Sequence, residues 1–297
     1  MAYGELSPRF FCSPGNREEV MLNSIPNGNL PTYPTLLLDY GSQATAAVLV
    51  LPEEDSSHWP TFEFAASIPM GQIRKALQEA KLPAPEQTLL CGMSETCGDT
   101  ALSSTERRAQ RMLRWKDALH HTEGHAEFFL QEELQGWEAA PLLRDAQQTF
   151  GTALGTDSGM AAILAALSLN SLRDRSWSEG VTVIWAGHCH IQAFMIYQER
   201  LLGLYEQHSS ISVDSFLNDL RELRLNWLPD EQVRAAGGHG CICGDFPAEA
   251  EGFRPTWILG PRRADLEGYG RLVSPSGDDR FDRCLGLLFG ISLRKTA

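Results

Sequence analysis

The sequence predicts an α/β fold built in two halves, each opened by a hairpin with a glycine in its turn. Three observations predict it. The apolar runs 36–39 and 46–51 are joined by Tyr40-Gly41-Ser42-Gln43, which reads as two strands and a tight turn. The same theme returns at 181–185, Ala186-Gly187-His188-Cys189 and 190–197. Strand-like runs also alternate with stretches of helical period along the chain, the pattern of an α/β domain.

The elements follow in order. Residues 1–34 carry Pro8, Pro14, Gly15, Pro26, Gly28 and Pro31 without a sustained period, and read as an irregular arm. After the first hairpin, Ile73, Ala76, Leu77 and Ala80 share one helix face, and Pro83 and Pro85 stop that helix. Thr88-Leu89-Leu90-Cys91 reads as a buried strand, followed by a polar loop over 92–100. Ser103 and Glu106 suit a capping box for a helix reaching about His120. On that helix Arg107, Arg108, Arg111, Arg114 and Lys116 read as a solvated face. Gly155-Thr156-Asp157-Ser158-Gly159 opens a helix of small residues, 160–169. Beyond the second hairpin come a strand at 201–206, a helix bearing Val213, Phe216, Leu217, Leu220 and Leu223, and a short helix at 230–236 stopped by Gly237-Gly238. A strand at 257–259 ends in Gly260-Pro261, and a helix over 278–293 closes the chain, kept slim by Cys284, Gly286 and Gly290. Trp185, Phe194 and Trp257 read as core.

Composition narrows the function. The 297 residues hold 25 Lys and Arg against 38 Asp and Glu, a net charge of −13, which repels nucleic acid and anionic lipid. No apolar run nears the ~20 residues that span a bilayer, and the first residues lack the pattern of a secretory signal. Seven scattered cysteines suit reduced thiols, so a cytoplasmic protein with neither nucleic-acid nor membrane partners is expected.

Asp39 at a strand end, followed by Gly41, Ser42, Gln43 and Thr45, suits a nucleotide phosphate tail, because backbone N–H groups of such a turn can cradle phosphate oxygens. Asp39 is also the candidate metal residue, holding Mg²⁺ through water. Gly187, His188 and His190 form the matching turn, Asp157 and Ser158 start the small-residue helix, and Gly260, Pro261 and Arg262 form a turn against which a nucleoside can lie. Gly238 and His239 are further candidate contacts. Glu206 at a strand end is the candidate for positioning an attacking water or hydroxyl, with Asp99 as its rival.

This order of hairpin, connecting helix, second hairpin, nucleoside turn and closing helix resembles the actin, 70-kDa heat-shock chaperone and sugar-kinase superfamily. A closer resemblance, over about residues 35–291, is to the domain of unknown function 1786, often labelled a pyruvate formate-lyase activating enzyme. It is carried by Asp39-Tyr40-Gly41-Ser42-Gln43-Ala44-Thr45, Asp157-Ser158-Gly159-Met160-Ala161-Ala162, Gly187-His188-Cys189-His190-Ile191-Gln192-Ala193-Phe194, Gly203-Leu204-Tyr205-Glu206-Gln207-His208, Gly237-Gly238-His239-Gly240 and Leu259-Gly260-Pro261-Arg262-Arg263. The resemblance implies a two-lobed actin-like (ribonuclease H-like) fold with ATP and Mg²⁺ in an interlobe cleft. It implies lobes of 35–157 and 158–297, the last helix returning to the first lobe. The chain departs from the pattern where Trp185-Ala186 replaces the usual carboxylate of the second hairpin.

Three classes follow. One is an ATPase or phosphotransferase acting on a small-molecule or protein substrate, and the second is a non-catalytic nucleotide sensor or scaffold. The third is a metal or thiol protein using His188, Cys189, His190, His208, His239, Cys241 and Cys243. Radical activation is excluded, because no three of the seven cysteines have the close spacing that an iron–sulfur cluster needs.

Overall fold

The chain is described here from a computed structural model, over residues 9–10, 30–41, 43–52, 54, 59–65, 68–92, 103–137 and 139–294. In chain order its elements are β1 (Arg9–Phe10), β2 (Thr35–Tyr40), β3 (Ala44–Val50), β4 (Pro60–Ala65), α1 (Met70–Glu79), β5 (Gln87–Gly92), α2 (Ser104–Thr122), α3 (Ala140–Phe150), β6 (Ala153–Asp157), α4 (Ser158–Leu167) and α5 (Asn170–Ser178). Then come β7 (Val181–Ala186), β8 (His190–Tyr197), β9 (Arg200–His208), α6 (Val213–Arg224), α7 (Asp230–Ala235), β10 (Gly240–Cys243), β11 (Thr256–Leu259), β12 (Arg271–Leu272) and α8 (Asp282–Arg294).

The strands form two six-stranded sheets, ordered β1-β4-β3-β2-β5-β6 and β10-β9-β8-β7-β11-β12. In the first, β2, β3 and β4 form an antiparallel meander, and β5 and β6 extend it in parallel from β2. In the second, β7, β8 and β9 repeat the meander, and β11 and β12 extend it in parallel from β7. One plan used twice in one chain is the actin-like fold, as the resemblance implies. Strands β2, β5 and β7 are buried along their whole length, so they read as continuous apolar runs rather than alternating ones.

Helices α4 and α8 hold the middle. Helix α4 is buried at every residue and touches β5 and β6 of one sheet and β7 and β11 of the other, while α8 packs on α4 and on β2, β3 and β5. Their close approach requires Gly286: a Cβ there would lie 2.1 Å from the Ala161 carbonyl oxygen, far inside contact distance. Helix α2 sits instead on the second sheet, against β10.

Three elements differ from expectation. Arg9–Phe10 is not irregular: it pairs with Thr61 and Pro60 at the edge of the first sheet. Residues 153–157 form a strand, and the helix begins at Ser158 with Asp157 as its N-cap, accepting from the Gly159 N–H at 2.7 Å. The last helix starts at Asp282 rather than near 278, because the chain before it winds around the Asp282 carboxylate. Its Oδ1 accepts from Ser274 Oγ at 3.0 Å and from Ser276 N and Oγ at 3.0 and 2.7 Å.

Burial pushes the Asp282 carboxyl up from 3.8 to about 6, against those hydrogen bonds. A carboxyl raised on folding binds more protons in the folded state between these values, so its contribution to stability falls as pH rises from about 4 to 6. Relative to an Asp282→Asn variant, the wild-type protein is expected to lose about 2 kcal/mol over that window. Urea denaturation of both proteins at pH 4 and pH 7 checks it; a constant difference contradicts it.

Candidate functional site

The two glycine turns have the same construction. Gly41 N–H donates to Ala44 O and Gly187 N–H to His190 O, each at 2.9 Å, and a Cβ at either glycine would press on that same oxygen. Both turns line one cleft of about 380 Å³, with Ser158 at the start of α4, Gln192 of β8, Pro261, and Asp279, Arg280 and Arg283 around the head of α8.

The charges in this cleft are paired. Arg283 Nε donates to Asp39 Oδ2 at 2.9 Å, and its guanidinium lies 4.8 Å from the Trp185 ring centroid. Cys91 donates to Asp39 Oδ1. Burial raises the Asp39 carboxyl above its ordinary value, and Arg283 and Cys91 offset part of that rise. Arg280 pairs with Glu63 at 2.9 Å and also with Asp278, and Arg263 with Asp279 at 3.3 Å. Each carboxylate lining the cleft thus has an arginine beside it.

Two buried polar groups on the cleft wall have no such partner. Ser158 Oγ and Gln192 Nε2 have no hydrogen-bond partner, although both residues are 2% exposed. A buried amide or hydroxyl left unpaired costs free energy unless a ligand or water completes it.

Beyond the cleft wall lies a second polar cluster. Arg111 of α2 donates from Nε to both Glu206 oxygens at 2.9 Å, and from Nη1 and Nη2 to Asp157 at 2.9 and 3.2 Å. Arg111 is 2% exposed, so the expected solvated face is corrected here: one basic residue of the five points inward and joins α2 to β9 and to the cap of α4. Burial opposes ionisation of Glu206, but Arg111, His239 and His190 outweigh it and hold the carboxyl down at about 2. His239 N–H donates to Glu206 O, and its imidazole is pushed down to about 4, chiefly by burial. The His239 ring lies 4.7 Å from that of His190.

The structure sorts the residues read from sequence. Asp39, Gly41, Gln43, Ser158, Gly187, His188, His190 and Pro261 line the cleft together. Thr45 is buried behind the first turn, its hydroxyl without a partner. Gly260 takes a φ of +98° and packs on the Ala186 carbonyl, which sets Pro261 on the cleft wall. Arg262 is committed elsewhere, to Asp265 and to the Ser209 carbonyl, each at 2.8 Å. Asp157, Gly238 and His239 belong to the second cluster, Gly238 packing against the Gln207 amide. Glu206 is fully buried under Arg111 and is absent from the cleft lining, so the water-positioning role read for it does not match its place. Asp39 as metal anchor meets the Arg283 guanidinium already on its oxygen. Ser42 and Asp99 lie outside the described residues. Trp185 is core on one side, yet it faces the cleft beneath Arg283. Sequence reading assigned no site role to Gln192, Arg111 or Arg283; long-range pairing reveals the two arginines, and burial on the cleft wall reveals Gln192.

Among the described residues, no helix is long and apolar enough to cross a membrane. No curated protein matches the sequence. Among solved structures, the chain is similar to the activator of 2-hydroxyisocaproyl-CoA dehydratase from Clostridium difficile with bound ADPNP, at 11% identity and a TM-score of 0.41, covering 89% of this chain and 96% of that one. The ethanolamine utilization protein EutJ from Carboxydothermus hydrogenoformans matches at 10% identity and a TM-score of 0.43, over 91% and 94% of the two chains. MreB 5 of Spiroplasma citri bound to AMPPNP matches at 10% identity and a TM-score of 0.39, over 85% and 95%. The sequence profile of one family, described as "Putative pyruvate format-lyase activating enzyme (DUF1786)", matches residues 61–265, more than half of the chain. The chain belongs to the DUF1786 family.

Proposed function

We propose that the cleft binds a nucleoside triphosphate, with the phosphates between the Gly41 and Gly187 turns and the nucleoside against Pro261. The observation that carries this reading is the pair of unpartnered buried groups, Ser158 Oγ and Gln192 Nε2, on a wall shared by both turns. Phosphate oxygens accept from a hydroxyl and an amide N–H, so that pair of donors fits a polyphosphate. Arg280 and Arg283 supply positive charge on the same wall.

Mg²⁺ does not fit Asp39 as the side chains stand. Both carboxylate oxygens accept hydrogen bonds, and a fixed guanidinium lies where a hard cation would approach. With Trp185-Ala186 supplying no second carboxylate, a nucleotide-binding or sensing protein is favoured over an enzyme that needs a protein-held metal. Phosphotransfer is the second reading, and one observation favours it: Asp39 itself lines the cleft, so a phosphate that draws Arg283 away uncovers a carboxylate beside it.

Thermal unfolding with and without ATP tests the proposal, since a ligand that binds only the folded state raises Tm. ATP is expected to raise the wild-type Tm. Ser158→Ala should keep the unliganded Tm close to wild type, because it removes a hydroxyl that bonds to nothing, and should shrink the ATP shift. No ATP shift in the wild-type protein overturns the reading. Phosphate release that is lost in Asp39→Ala would establish the second reading.

A further inference from the structure

The loop that carries His239 is tightly determined. Gly237 takes a φ of +88° after α7, and Gly240 one of +136°, where a Cβ would lie 2.1 Å from Asp230 Oδ1. At Gly238 a side chain would strike Gln207. The loop therefore turns closely over β9 and sets the His239 N–H on the Glu206 carbonyl at 3.0 Å. On the sheet, His190 pairs with His208 and Gln192 with Glu206, so His190 and Glu206 are diagonal neighbours on one face.

These placements bring two imidazoles and a buried carboxylate together. Ligand-type atoms of His190, Glu206 and His239 all lie within 4.8 Å of one another. His239 Nδ1 is buried without a hydrogen-bond partner, 3.7 Å from Glu206 Oε1. That distance is too long for a hydrogen bond. Two ligands about 2.1 Å from a shared ion at the tetrahedral angle stand about 3.4 Å apart, so the pair needs to close by only a few tenths of an ångström. Arg111 does not exhaust Glu206, because a carboxylate offers about four lone-pair directions.

We infer that His190, Glu206 and His239 form a binding site for one divalent first-row transition ion of the Zn²⁺ type. Two imidazoles and one carboxylate are a borderline donor set that suits such ions and leaves coordination positions open. His190 also lines the cleft, so the open positions lie at the cleft's edge, within reach of water or of an anion held there. The site differs from the seven-donor set read from sequence. Cys241 pairs with Tyr205 and Cys243 with Gly203, which puts both thiols on the sheet face opposite Glu206. His188 lies exposed in the turn, and the His208 ring is engaged with Ser210. Of the seven donors read from sequence the proposed site keeps His190 and His239, and it adds Glu206.

Metal-stripped full-length protein titrated with Co²⁺ and with Zn²⁺, without nucleotide, tests the site. One ion per chain after desalting is expected, with a Co²⁺ spectrum free of thiolate charge transfer. His190→Ala and His239→Ala should each weaken binding at least about tenfold, since even partners one shell out are worth ten- to a hundredfold. His208→Ala should retain the ion. Absence of a stoichiometric ion in the wild type, retention in both His190→Ala and His239→Ala, or a thiolate charge-transfer band each overturns the assignment. Because nucleotide is left out, none of these outcomes depends on the proposed cleft ligand.

Discussion

Arg111→Leu will destabilise the protein by about 3–5 kcal/mol, the cost of removing one partner from a buried ionic network. Arg111 is the shared cation of Asp157 and Glu206, and both carboxylates are buried, at 1% and 0% exposure. Leucine fills much of the space but answers neither charge. The two carboxyls then titrate upward on folding, so the variant's deficit should shrink as pH is lowered and they protonate. Arg111→Lys should recover only part of the loss, because one ammonium cannot span two carboxylates with the geometry of a guanidinium. Urea denaturation of the three proteins at pH 7 and pH 4 measures all of this. A loss below about 1 kcal/mol, the scale of an exposed ion pair, would contradict the network.

Arg283→Ala should weaken ATP binding by about ten- to a hundredfold, the range of one or two charge-assisted hydrogen bonds. Arg283 stands between Asp39 and the Trp185 ring at the cleft wall, so its fork is held flat and ready for a phosphate oxygen. The same substitution leaves Asp39 buried without its cation, which raises a carboxyl already raised by burial. The variant should therefore gain stability relative to wild type as the pH falls and Asp39 protonates. A charged arginine at the start of the closing helix thus takes over the place usually left to a metal ion in this reading.

Much of the fold was legible because it is written in continuous apolar runs and glycine turns. Strands β2, β7 and β8, the Ser103–Glu106 cap and the Gly237 helix stop all lie where residue pattern puts them. Strand β4 carries a period-two signal, Phe62 and Phe64 buried with Glu63 exposed between them, yet it is short and begins with a proline. Strand β6 was concealed by Gly155, Thr156 and Asp157, residue types that usually mark a turn. Here Gly155 is needed because Leu134 and Leu143 pack where its side chain would be. The turns of the site were readable as local motifs. Its electrostatics were not, since Arg111 meets Glu206 across 95 residues and Arg283 meets Asp39 across 244. No local pattern separates an inward arginine from its four neighbours on α2.

If the arginine beside Asp39 stands in for a metal in a nucleotide cleft, ATP binding does not depend on Mg²⁺, which calorimetry measures. ATP is titrated into metal-free protein, first without and then with Mg²⁺, beside Arg283→Ala. The account predicts binding in both conditions for the wild type and a loss of at least about tenfold in the variant. Binding that appears only with Mg²⁺, or no binding at millimolar ATP, would contradict it.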